Sequence, residues 1–201
     1  GKAAHVADKE YKGLNALDSL VDFYKRLKEL EETFDKPHLL GCIITEGGTA
    51  PNIVPDRATL KATVRALDTD YLENVMLPQI KALAAEVAKD HHTPVETEHY
   101  EPLYKNMINN AALNVYFIEA FNALHEEFGV YEEEDAEGST DVGNVSHVTR
   151  AAQPEIAIGY HINAHTPEFA TAANSDFAYI QALTGAKAMV AVAAEVLFEK
   201  R

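Results

Sequence analysis

HLLGCIITEGGTAPNIVPDRATLKATVRAL, residues 38–67, decides the fold. Its last ten residues alternate: Leu60, Ala62, Val64 and Ala66 face one way, Thr59, Lys61, Thr63 and Arg65 the other. A period of two predicts a half-buried strand over 58–67. His38 to Thr45 reads as a second strand, with Cys42 inside the apolar run LLGCII as a small core hydrophobe. Between them EGGTAPNIVPD carries paired glycines and two prolines, the composition of a loop with defined bends.

Helices are expected on both sides of this pair. Residues 14–34 place Leu17, Leu20, Val21, Tyr24, Leu27 and Leu30 at helical spacing, with Asn15 and Asp18 in a capping arrangement. Pro37 marks the end. A second helix is expected from about Asp70 to Lys89, and Pro78 should kink or split it. Pro94 to Tyr100 alternates and reads as another strand. The order is strand end, helix, strand, strand, helix, strand. That is the split βαβ of a ferredoxin-like sandwich with most of its first strand absent, within the α+β class.

A boundary near Leu103 gives two domains, 1–103 and 104–201. The second opens with a helix over Asn110–Phe128, followed by the acidic run Glu132–Asp135, read as a solvated loop. Gly138 to Gly143 is small and polar, as loops are. Ile156 to Ile162 suits a buried strand. A last helix over Ser175–Glu199 is expected to bury Phe177, Ile180, Leu183, Met189 and Val196.

Apolar residues make up 47% of the 201, enough for a sizeable core. The net charge of −15 repels phosphate backbones, which argues against nucleic acid as a partner. No apolar run approaches a membrane span, and no basic segment precedes an apolar one. A single cysteine forms no internal disulfide and fits a reducing, cytoplasmic compartment. The opening Gly1-Lys2-Ala3-Ala4-His5 reads as the interior of a longer protein.

Chemistry concentrates at few positions. His165 follows the apolar run 156–162 and precedes Pro167, a place for a metal ligand or an acid–base group. His161 stands four residues earlier, but Pro167 argues against the helix that would pair the two imidazoles. Ser139, Asp141 and Gly143 lie in the small polar stretch; Asp141 could orient a histidine or shape an Asx-turn. Arg65 could clamp a carboxylate with its planar fork. Asn52 lies between two prolines, and His5 beside small residues that let a ligand approach.

Taken together, GKAAH at 1–5, NALD at 15–18, EGG-x-APNIVPD at 46–56, Arg65, STDVGNVSH at 139–147, AHTPEF at 164–169 and GAKAM at 185–189 resemble the dinuclear-zinc amidohydrolases and peptidases. The nearest group comprises aminoacylases, aminobenzoyl-glutamate hydrolases and indole-acetyl-amino-acid hydrolases. The resemblance implies a ferredoxin-like lid that makes a homodimer, matched by 1–103, and the last part of a catalytic domain, matched by 104–201. It implies that His165 binds a metal and that His5 reaches the reacting carbonyl. It gives Asn52 and Arg65 a part in holding the substrate, and makes Gly138–Gly143, with Ser139 and Asp141, the pocket lining.

The implied substrates are N-acyl amino acids or small dipeptides. The implied cofactor is a pair of zinc ions, with manganese or cobalt as substitutes. A metal lowers the pKa of bound water and polarises the amide carbonyl. A catalytic site needs about three protein ligands per zinc, and this sequence offers one matching histidine. The family segment that carries the remaining ligands and the general base would precede GKAAH. The alternative expectation is a catalytically incomplete dimerisation or ligand-binding module.

Overall fold

The computed structural model describes residues 1–126 and 138–198. The chain divides into two compact units, Gly1–Asn106 and Met107–Arg201.

In the first unit, β1 (Ala4–His5) is followed by α1 (Ala16–Glu31), β2 (His38–Glu46), β3 (Ile53–Val54) and β4 (Thr59–Ala66). Helix α1 starts where the sequence places its cap: the Asn15 side chain accepts from the N–H groups of Leu17 and Asp18, satisfying donors that lack a helical partner. Strands β2 and β4 pair antiparallel from His38↔Ala66 to Ile44↔Leu60, and an irregularity follows before Glu46↔Thr59. The predicted strand at 58–67 therefore forms, with Val64 and Ala66 on its packed face.

The second helical segment runs without interruption from Thr69 to Asp90 but widens into a π turn ahead of Pro78. A single turn, α2 (Thr69–Tyr71), runs into a π-helical turn over Leu72–Met76, and α3 (Leu77–Asp90) follows with proline in its first turn. The irregular turn sits ahead of the proline because proline lacks the N–H that a regular helix would use there. Phe34, Tyr71, Leu72 and Met76 form the core, with Leu30, Val64, Ala66 and Ile80 packed on it. Two helical segments thus pack together with one antiparallel strand pair, an α+β arrangement. At one end α1 and α3 are fastened by the buried pair Thr93 Oγ1–Ser19 Oγ, 2.8 Å apart, and by Asp22, which accepts from His91 Nε2 and pairs with Arg26.

The strand expected at Pro94–Tyr100 does not form: all seven residues are exposed and unpaired in any sheet. In a split βαβ fold this strand lies beside the first one. Here β1 is two residues long and pairs with β3 instead, so the segment has no neighbour to hydrogen-bond. Only Tyr100 reaches the hairpin, its hydroxyl donating to the Ala62 carbonyl and sharing a hydrogen bond with the Thr63 hydroxyl.

The second unit consists of helices α4 (Ala111–Ala123), α5 (Val142–Ser146), α6 (Pro167–Ala173) and α7 (Asp176–Phe198). Asn110 caps α4 by accepting from Leu113 N–H. The acidic run Glu132–Asp135 lies outside the described residues. Ile156–Ile162, expected as a buried strand, is neither strand nor fully buried. The described residues of this unit contain no strand for it to pair with, and an unpaired strand is not stable alone. Part of the loop expected around Gly143 is instead α5. The Ser146 hydroxyl donates to the Gly143 carbonyl and accepts from Ile108 N–H, which ties the short helix down.

Of the side chains expected inside on α7, Val196 packs on the core, but Ile180, Leu183 and Met189 do not. Ala178, Thr184, Ala188 and Val192 are buried, and Ala188 and Val192 pack on Ala120 and Phe121 of α4. Ile180, Leu183 and Met189 are 62%, 63% and 58% exposed. Small residues win the contact because they let two helix axes approach closely, while larger side chains would hold them apart. Ile180, Leu183, Val190 and Leu197, all exposed, fall within an arc of about 100° at 3.6 residues per turn. By length and composition α7 could also cross a membrane, although no single apolar run in it is that long: Lys187 and Glu195 interrupt it.

Candidate functional site

The strongest juxtaposition is between His5 and Asn52, which lie 47 residues apart in the sequence. Strand β1 pairs with β3 in the register Ala4↔Val54 and His5↔Ile53. One residue on, Val6 N–H donates to the Asn52 carbonyl at 3.0 Å. The loop between β2 and β3 therefore closes onto the residue that follows His5. Its far end is held by α1, where Ala16 N–H donates to the Pro55 carbonyl at 2.9 Å.

His5 is exposed, and its ring is oriented locally: Ala7 N–H donates to Nδ1 at 3.1 Å. A ring nitrogen that accepts carries no proton, so neutral His5 holds its proton on Nε2 and offers an N–H donor there. The turn continues with Asp8 N–H donating to the His5 carbonyl, and the Asp8 carboxylate accepting from Glu10 and Tyr11 N–H. Those backbone donors, Tyr11 first, hold the Asp8 carboxyl below its ordinary pKa. Beside this element is a cavity of about 380 Å³, lined mainly by Val6, Leu17, Ala50, Pro51, Ile53 and Pro55.

Arg65 is exposed on the outer face of β4, across from Leu39. It makes no hydrogen bond or ion pair among the described residues. Its neighbours on that face are Thr63 and Lys61, and Lys61 Nζ stands over the Tyr100 ring. No contact joins Arg65 to His5 or Asn52 among the described residues.

In the second unit, Ser139 and Asp141 are exposed and Gly143 is buried. Asp141 is the residue before α5 but makes no side-chain cap; Thr140 Oγ1 accepts from Val142 N–H instead. Neither Thr140 nor Ser146 stands out in the sequence, because a serine or threonine that ties backbone looks like any other surface hydroxyl.

His165 is exposed with φ of 62°, and His161 has φ of 55°. Left-handed backbone is uncommon outside glycine, and histidine is among the residues that tolerate it. At His165 it turns the chain into α6, whose cap Thr166 accepts from Phe169 N–H ahead of Pro167. The described residues of this unit leave His165 exposed. Among the described residues, no group of three or more His, Cys, Asp or Glu could hold a metal ion. These residues do not by themselves make a zinc site.

Comparison with known proteins gives this geometry a context. Residues 1–92 match the family described as the peptidase dimerisation domain. The chain is 33% identical over 205 residues to the Xaa-Arg dipeptidase of Mus musculus and 32% identical over 202 residues to that of Homo sapiens. Both alignments cover 99% of this chain and 46% of the relative, so the chain spans about half the length of the curated relatives it matches. Residues 1–92 thus match a ferredoxin-like peptidase dimerisation domain, and the chain along its length is similar to dipeptidases, in keeping with the amidohydrolase and peptidase family that its motifs resemble.

Proposed function

We propose that this chain works within a metal-dependent hydrolase of amide bonds in small dipeptides or N-acyl amino acids. The observation that carries the reading is the match of nearly its whole length to Xaa-Arg dipeptidases. Within it, the β1–β3 pairing sets His5 opposite Ile53 and ties the next residue, Val6, to the Asn52 carbonyl. In this reading the Nε2–H of His5 donates to the carbonyl oxygen as negative charge develops on it. Asn52 contributes an amide, and Arg65 clamps the substrate carboxylate through its two-pronged guanidinium. Ser139, Asp141 and Gly143 line the pocket of the second unit.

Substrates with a basic side chain suit the acidic chain best. A net charge of −15 raises the local concentration of cations, an effect that salt weakens. Zinc is the proposed metal, with His165 as one ligand and the others supplied by polypeptide beyond these 201 residues. The uncovered apolar face of α7 supports that arrangement: a helix apolar all round is normally enclosed in a larger core. The dimerisation-domain match supports a homodimer through the first unit. A cytoplasmic location is proposed on the lone Cys42.

The test is metal analysis and turnover of Xaa-Arg dipeptides and N-acyl amino acids by the intact polypeptide, with His165→Ala and His5→Ala variants. The expected result is bound zinc that falls in His165→Ala, and turnover that falls in both. An intact polypeptide that takes up no metal and hydrolyses neither class would leave the second reading, a dimerisation or ligand-binding module. The dimerisation-domain match over residues 1–92 favours that one.

A further inference from the structure

We infer that Gly48 is a positioning residue: its backbone conformation sets the loop that joins Asn52 to His5. The inference rests on the reading that these two residues face substrate. Gly48 has φ of 110°, which side-chain-bearing residues rarely adopt. A Cβ built on it would lie 2.8 Å from Pro55 Cγ and 3.2 Å from Pro55 Cβ. Both the torsion and the space exclude a side chain. The preceding Gly47 is also closely approached, a Cβ there standing 3.1 Å from Leu17 Cδ1 on α1.

This close packing has a consequence two steps away. Pro55 is fixed to α1 through its carbonyl, which accepts from Ala16 N–H. With Pro55 fixed and Gly48 stacked on it, residues 49–54 must span the gap in one way. That path brings the Ala50 carbonyl to Ile53 N–H, the Asn52 carbonyl to Val6 N–H, and Ile53 opposite His5. A side chain at 48 would push the loop off Pro55, and the first bond to open would be the one from Val6. The His5 turn, which continues directly from Val6, would move with it. Gly41, on β2, offers a control: a Cβ there meets nothing within 4 Å.

The test uses the 201-residue chain and needs no turnover, so it stands or falls separately from the hydrolase reading. Amide hydrogen exchange at Val6 and the His5 ring resonances are compared in wild type, Gly48→Ala and Gly41→Ala. In Gly48→Ala the expected result is exchange at Val6 faster by about tenfold, with shifted His5 ring signals and unchanged exchange inside α1. Gly41→Ala should match wild type. A fold defect alone would accelerate α1 as well and leave the His5 signals of the folded fraction in place. Should Gly48→Ala not fold, Pro55→Ala removes the same contact from the other side and should move Val6 and His5 in the same direction. Val6 and His5 signals indistinguishable from wild type in a folded Gly48→Ala, or in Pro55→Ala, would overturn the assignment.

Discussion

Substituting Ala188 tests which side of α7 is inside. Ala188 is fully buried between α7 and α4, against Ala120 and Phe121. Ala188→Leu adds three carbons to a contact that has room for none, and overpacking of that kind costs about 1–3 kcal/mol. Leu183, on the opposite side, is 63% exposed. Complete burial of a leucine stabilises by roughly 1.5–3 kcal/mol, so the third or so that is covered here is worth below about 1 kcal/mol. Leu183→Ala also gains slightly in helix propensity. At the middle of these ranges the pair of variants separates by about 1 kcal/mol, roughly 4–8 °C in Tm for a unit of this size. The assay is urea unfolding of the 201-residue chain followed by far-ultraviolet circular dichroism, with the helical second unit giving the larger signal change. A cost for Leu183→Ala that equals or exceeds that of Ala188→Leu would mean that the large apolar stripe is the packed one and that the α4–α7 contact is wrongly assigned.

The fastening between α1 and α3 should be acid-sensitive. The hydrogen bond from His91 is the main cause that holds the Asp22 carboxyl below its ordinary pKa, with Arg26 adding to it. A carboxyl depressed in the folded state contributes stability above its unfolded pKa, near about 3.9, and loses it as pH falls through the folded value. Urea midpoints measured between about pH 6 and pH 2 should therefore fall less steeply in Asp22→Asn than in wild type; parallel curves would remove Asp22 from the account. Met76 has no exposed surface and sits in the core of the first unit. Met76→Ala should cost about 2–5 kcal/mol by lost burial and a residual cavity, and calorimetry showing a loss below about 1 kcal/mol would mean that the core closes over the gap.

Local order is largely legible in the sequence. Asn15 announces a helix start because a cap is a contact within three residues of itself. The alternation of 58–67 gives its strand, and Pro78 the irregular turn in its helix, for the same reason. Local periodicity does not say whether a segment finds a partner. Pro94–Tyr100 and Ile156–Ile162 have strand-like patterns, yet a strand exists only when another supplies its hydrogen bonds, and no neighbour does so among the described residues.

The candidate site divides along the same line. Its residue types, His5, Asn52, Arg65, Ser139, Asp141, Gly143 and His165, can be named from motif order alone. That His5 and Asn52 adjoin, and that Arg65 stands apart on the outer face of β4, depends on pairing between distant stretches of backbone. The buried side of α7 is not readable from its sequence because apolar residues surround that helix, so hydrophobicity sets no direction. Sequence by itself determined what each segment could become, since torsions, caps and periodicity act over a few residues. Only tertiary structure decided which faces and edges were used, because packing and ladder hydrogen bonds belong to pairs of segments and are written in neither one alone.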